Sequence, residues 1–232
     1  MIRYRRKNQG GKTVLQPLID AITWVLNNLY LFTKSIGLPS YALAIILLTV
    51  LIKLILYPLN HSQMKSMKAM QDLQPKMKEI QDKYKNDPQK QQQALMELYK
   101  EHGVNPMSGC LPLLIQFPIL IALYRALYGF KYLNPAHAKF FWIANISHKD
   151  PYFILPLLAA LTTYIQSSMT MTSNSDPNQK IMLYVMPLMI GWIAMSLPAG
   201  LGIYWVVLNV MGIIQQYMVN KSTHKPVERS TK

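Results

Sequence analysis

Apolar residues along this chain gather into four long blocks, residues 41–59, 110–130, 151–171 and 181–219, nearly free of charge. A bilayer core about 30 Å thick takes roughly 20 helical residues to cross. The last block, with 39 residues, is about twice too long for one crossing, and Leu197-Pro-Ala-Gly-Leu-Gly202 interrupts it with turn-forming residues. The pattern therefore predicts five transmembrane helices, at 41–59, 110–130, 151–171, 181–197 and 201–219. Five such segments in 232 residues leave too little polar chain to coat them as buried helices of a soluble protein.

Two further segments have a helical period with a polar face. In residues 14–37, Leu15, Leu18, Ile22, Leu26, Leu29, Phe32 and Ile36 recur at helical spacing, with Gln16, Asp20, Thr23, Asn27 and Lys34 opposite. This predicts an amphipathic helix lying in the membrane interface, with a sixth span as the alternative. In residues 60–107, Met70, Leu73, Met77, Ile80 and Tyr84 step by three and four, predicting one helix over 60–85 kinked at Pro75. Asp87-Pro88 restarts a second helix that Gly103 ends. The fold class is then an all-α polytopic membrane protein. It has a five-transmembrane-helix core, an N-terminal interfacial helix and a cytoplasmic helical hairpin.

Charge orients this plan. Lys plus Arg number 24 against 10 Asp plus Glu, a formal net charge of +14, yet charged residues are only 15% of the chain. Residues 60–107 carry eight lysines, and the tail 220–232 carries Lys221, Lys225, Arg229 and Lys232. Cytoplasmic loops favour Lys and Arg. The hairpin, the 172–180 loop and the C-terminus are thus expected inside, with the N-terminal side of the first span and the 131–150 loop outside. The basic segment 1–13 runs against this rule. No cleavable signal is apparent, since no small-residue cleavage site follows a clean apolar run. The tail suits anionic lipid or a polyanion such as ribosomal RNA.

The candidate chemistry is polar, not catalytic. Lys53 lies twelve residues into the first apolar block, roughly 18 Å from its outer end. A lysine there either snorkels to the interface or faces a water-filled cavity, and its distance from both ends favours the cavity. Thr49, Tyr57 and Asn60 share its helical face. Gln116, Gln166 and Asn209 fall at comparable depth in other spans, and Gln215 and Gln216 end the last one. Singly, each reads as an interhelical hydrogen bond; together with Lys53 they predict a polar groove open to the cytoplasm. Met64, Met67, Met70 and Met77 crowd the first hairpin helix and suit either varied apolar partners or hairpin packing. The histidines have no metal-ligand spacing, no catalytic pair is present, and no cofactor is expected. The lone cysteine, Cys110, reads as packing or as a palmitoylation site.

Several stretches carry a resemblance. Lys53-Leu-Ile-Leu-Tyr-Pro-Leu59, Leu73-Gln-Pro-Lys76, Asn105-Pro-Met-Ser-Gly-Cys-Leu-Pro-Leu-Leu-Ile-Gln-Phe-Pro118, Asp150-Pro-Tyr-Phe-Ile-Leu-Pro156, Gln179-Lys-Ile-Met182 and Leu197-Pro-Ala-Gly-Leu201 occur in one order. In these the chain resembles the YidC family of membrane protein insertases, over residues 15–220. The match contains no large extracytoplasmic domain and looks like the compact form of Gram-positive bacteria. The resemblance implies a plasma-membrane insertase and chaperone, not an enzyme, working alone or with the Sec translocon. Implied partners are nascent membrane proteins, the signal-recognition receptor, the ribosome and lipid. It places the groove charge at Lys53, where the family usually has arginine, and client-helix contacts at Thr49, Tyr204 and Trp205. The rival reading is a small-molecule or ion transporter using a membrane-buried lysine, although no internal repeat accompanies it.

Overall fold

The structure, a computed structural model, describes residues 14–105, 111–128, 130, 132–170 and 181–223. The basic segment 1–13, Cys110, the 172–180 loop and the tail beyond residue 223 lie outside the described residues. Every regular element among the described residues is helical, apart from one isolated bridge between Phe140 and Ile143.

Local sequence sets the helix ends. The first helix, α1 (Gln16–Ser35), stops at Gly37, whose φ of +80° favours glycine. Gly37 N–H donates to the Lys34 carbonyl and Leu38 N–H to that of Thr33, closing a Schellman motif. The next helix, α2 (Tyr41–Ile55), is capped by the Ser40 hydroxyl, which accepts from Leu43 N–H at 3.3 Å.

The first apolar block does not run straight to residue 59. Pro58 has no N–H for the Leu54 carbonyl, so α2 ends and α3 (Tyr57–Asp72) leaves at 66°. Pro75 acts in the same way, so the single kinked helix expected over 60–85 is two helices, α3 and α4 (Gln74–Lys83). The hairpin is α4 paired with α5 (Pro88–Glu101): Tyr99 Oη donates to Met77 Sδ at 3.6 Å, and Gln91 Nε2 to the Gln81 carbonyl at 3.2 Å. A second Schellman motif, at Gly103, ends α5.

The remaining helices are α6 (Leu111–Tyr128), α7 (Ile154–Thr170), α8 (Met186–Ala194, preceded by a π turn at Ile181–Val185) and α9 (Ala199–Thr223). Of the described helices, residues Ala199–Lys221 alone are long and apolar enough to cross a membrane unaided; the bent α2–α3 pair passes the same test together. In packing, α9 lies on α7 and α2, α7 on α8, and α1 on both α2 and α6, while α3 crosses against α6, α7 and α9.

The packed face of α1 is Ile19, Ile22, Leu26, Tyr30 and Thr33, and Phe32 and Ile36 are exposed. This stripe is rotated from the one predicted, because α2 and α6 select the side they cover, and Thr33 satisfies its hydroxyl on the Tyr30 carbonyl at 2.8 Å.

The two ends of the bundle differ. The end bearing the 132–153 loop holds the buried core, with Leu26, Tyr41, Ile45, Leu123, Leu127, Ile146 and Leu201 all enclosed. Tyr30 and Tyr41 stack there at 3.9 Å; Tyr30 Oη bonds His137 Nδ1 at 2.8 Å, and Tyr41 Oη accepts from Leu133 N–H at 2.8 Å. Buried Asp150 accepts from Trp142 Nε1 (2.8 Å) and from Tyr152 and Leu155 N–H (3.1 and 2.7 Å), tying the loop to the start of α7. Burial raises the Tyr132 phenol pKa above its usual value, while its hydrogen bond to Ser147 at 2.5 Å pulls the other way. At the opposite, hairpin end polar side chains join the buried set: Lys53, Gln63, Asn209, Gln215 and Gln216, beside Leu73, Leu98 and Val219.

Candidate functional site

The polar set begins on α2. Ile45, Thr49 and Lys53 follow one another at steps of four on its buried face. The Thr49 hydroxyl donates back to the Ile45 carbonyl at 2.7 Å and is satisfied within its own helix. Lys53, only 9% exposed, has no such local partner, and among the described residues no carboxylate pairs with it. A buried ammonium without a counter-ion needs water or incoming polar groups. Tyr57 and Asn60 do not extend this face, because the bend after α2 carries them off it; Tyr57 is exposed and stacks on His61 instead.

Gln116 sits in α6 two residues before Pro118, which lacks the N–H that the Leu114 carbonyl would accept. Its Nε2 donates to Tyr204 Oη at 2.5 Å, linking α6 to α9. Tyr204 is fully buried, at 0% exposure, so it supports the site from behind. Trp205, one residue on and about 100° around the helix, is half-buried and faces an apolar crevice of about 290 Å³. Phe117 and Leu120 of α6 and Met189 and Ile193 of α8 form its walls, and Gln116 supplies the one side-chain amide. The predicted pair Tyr204–Trp205 is therefore divided: one ring is enclosed and the other faces open space.

Asn209 and Gln166 lie further toward the hairpin end. Asn209 Nδ2 donates to Thr162 Oγ1 at 3.0 Å and Thr163 Oγ1 at 2.8 Å, joining α9 to α7. Gln166 lies against Gly212 of α9, where a Cβ would collide with its amide. These residues knit two helices together.

Of the four methionines, Met64, Met67 and Met70 are half-buried on α3, the helix that crosses the bundle, and only Met77 belongs to the hairpin. Sequence reasoning missed Gln63, the single buried residue of α3, and Gln71, whose Nε2 donates to the Thr170 carbonyl of α7. Both lie in a segment whose composition reads as solvated hairpin, and only the bend at Leu56 turns it under the bundle. Among the described residues no group of three His, Cys, Asp or Glu side chains is placed to hold a metal ion.

Comparison with known proteins adds a third line. The profile of the 60Kd inner membrane protein family matches residues 31–226. A membrane protein insertase YidC of Geobacter sulfurreducens is 46% identical over 199 residues, 85% of this chain and 36% of that protein. One of Wolinella succinogenes is 45% identical over 207 residues, 89% of this chain and 37% of that protein. A crystal structure of an active YidC insertase with its first transmembrane domain resolved superposes with a TM-score of 0.68 at 28% identity, covering 89% of this chain and 47% of that one. The chain thus spans about a third of the length of the relatives it matches.

Proposed function

The chain belongs to the 60Kd inner membrane protein family, and from that membership we propose that it is a membrane protein insertase, inserting and helping to fold nascent membrane proteins in the bacterial plasma membrane. The observation that carries the reading is the presence of a buried, uncompensated Lys53 and an apolar crevice beside Trp205 in one helical bundle. In this reading the five spans 41–59, 110–130, 151–171, 181–197 and 201–219 cross the membrane, with the hairpin end in the cytoplasm.

The mechanism has no covalent step. A short hydrophilic client segment, favoured when acidic, approaches from the hairpin end and replaces water around Lys53, shortening its path through the low-dielectric core. The client's apolar helix slides past Trp205 and Phe117 into lipid. Transfer of its Leu, Ile, Phe and Val side chains, about −0.3 to −0.6 kcal/mol each at the membrane centre, drives release. Tyr204 and Thr49 brace the walls, and Gln116 holds Tyr204 in place. The α4–α5 hairpin and the α3 methionines receive clients or a targeting receptor, and the basic tail meets the ribosome or anionic lipid. The Sec translocon is a partner for larger clients.

The test is insertion of a small single-span client into liposomes containing only this protein, read as protection from added protease. Wild type and Lys53→Arg should protect the client and Lys53→Ala should not. Equal protection in all three removes Lys53 from the mechanism. Absence of protection with wild type, together with Lys53-dependent ion or solute flux in the same vesicles, favours the transporter alternative.

A further inference from the structure

The loop between α6 and α7 passes twice through backbone that favours glycine, and phenylalanine stands at both corners. Phe140 and Ile143 exchange both main-chain hydrogen bonds, at 2.9 and 2.7 Å, so Phe141 and Trp142 form a two-residue turn. Its first corner, Phe141, has a φ of +45°, and Phe153, immediately before α7, has a φ of +56°. Glycine takes such angles freely, whereas a bulky side chain there is strained. Strain of this kind persists where the surroundings enforce it, and it clusters at functional sites.

Neither ring offsets its strain by burial. Phe141 is 75% exposed and Phe153 50%, and Tyr152 is exposed beside them. Phe140 and Trp142, on either side of Phe141, pack against the core. Asp150 draws the two corners into one patch. Its carboxylate accepts from Trp142 Nε1, next to Phe141, and from the N–H groups of Tyr152 and Leu155, which bracket Phe153.

The surroundings identify what covers this patch. The Phe153 carbonyl accepts from Leu157 N–H at 3.1 Å, so Phe153 stands one turn above Leu157, with Leu161 a turn below. Leu157 and Leu161 are exposed on a helix whose other faces pack on α8 and α9. Where α7 crosses the membrane, the patch therefore continues its lipid-facing stripe. The charge beside it is positive. Lys139 and Lys149 are exposed, whereas Asp150, the one acid in residues 131–153, is buried on its three donors.

We propose that Phe141, Tyr152 and Phe153 form an aromatic wedge in the lipid leaflet at the loop end of the bundle. The rings enter at the boundary of headgroups and acyl chains, and Lys139 and Lys149 meet the phosphates of anionic lipid. The wedge sets the depth at which α7 begins. This goes beyond the insertase reading and rests on it only for the crossing of the membrane by α7.

The experiment uses the full chain with its lone cysteine removed by Cys110→Ala. Phe141→Cys, Phe153→Cys or Leu157→Cys then carries a single fluorophore, in phosphatidylcholine vesicles with or without phosphatidylglycerol. All three side chains are exposed, so the substitutions leave the core intact. Quenching by lipid brominated close to the headgroup is compared with quenching by aqueous iodide. The wedge requires positions 141 and 153 to be quenched by bromolipid, as 157 is, and shielded from iodide. Phosphatidylglycerol should deepen the bromolipid quenching at 141, and Lys139→Gln with Lys149→Gln should abolish that gain. Iodide quenching at 141 and 153, with 157 still quenched by bromolipid, overturns the wedge alone. Shielding of 141 and 153 from both quenchers also overturns it, since the patch is then covered by a second copy of the chain. The absence of any gain with phosphatidylglycerol overturns the assignment of the lysines to phosphates. If bromolipid fails to quench 157, the crossing of α7 fails and the wedge with it.

Discussion

Lys53 and Asn209 are both buried polar residues of apolar helices, yet their surroundings assign them opposite duties. Asn209 has two hydroxyl partners across the α7–α9 interface. Replacing it with alanine removes both interhelical bonds, a loss of about 2 kcal/mol, while the threonine hydroxyls keep their bonds to their own helix. We expect Asn209→Ala to lower the melting temperature by about 4–8 °C, with insertion falling only in proportion to folded protein. Lys53 has no ion-pair partner among the described residues, so Lys53→Met removes a charge that the fold does not need. Its melting temperature should hold or rise while client protection is lost. Thermal melts alongside insertion assays separate the two; a Lys53→Met variant that unfolds assigns the residue to structure. Gly212→Ala belongs here too: the added methyl meets the Gln166 amide, and overpacking of this kind costs about 1–3 kcal/mol.

At the scale of elements, prolines and caps divide the chain more finely than its hydrophobic pattern does. Pro58 and Pro75 each start a new helix, so α3 is neither a continuation of the first span nor an arm of the hairpin. The hairpin depends on Asp87, whose Oδ1 accepts from Lys90 N–H at 3.1 Å and whose Oδ2 pairs with Lys90 Nζ at 3.1 Å. The backbone hydrogen bond from Lys90 is the main cause that lowers the pKa of this carboxyl below its usual value. A depressed carboxylate stabilises the fold above its unfolded pKa, and that contribution fades as pH falls through the folded value. The first turn of α5 should therefore fray on acidification below about pH 4. Hydrogen exchange at Lys90 and Gln91 reports it. Asp87→Asn should keep the cap and lose the pH dependence, and Asp87→Ala should fray at every pH.

For the whole molecule, the contrast between its ends governs dynamics. The loop end is closed by the Tyr30–Tyr41 stack, the Asp150 bonds and the buried core; the hairpin end contains unpartnered amides, Lys53 and a bend. Local opening follows such differences in packing. Amide exchange in detergent should be slowest over 42–48, 122–127 and 200–204 and fastest across α3–α5. Uniform protection would show that the hairpin end is as rigid as the core. The helical class, the apolar blocks, a break between the last two helices (which falls at residues 195–198, not 197–202), the Asp87 cap and the presence of buried polar side chains were legible in the sequence, because composition, period and capping chemistry are local properties. Which face of α1 is buried, where α3 goes, that Tyr204 is enclosed while Trp205 faces the crevice, and that Asn209 is satisfied while Gln63, Gln215 and Gln216 are not, were decided only by tertiary structure. Partnering and burial depend on which helices meet and at what angle, and those meetings join residues as far apart as Gln71 and Thr170.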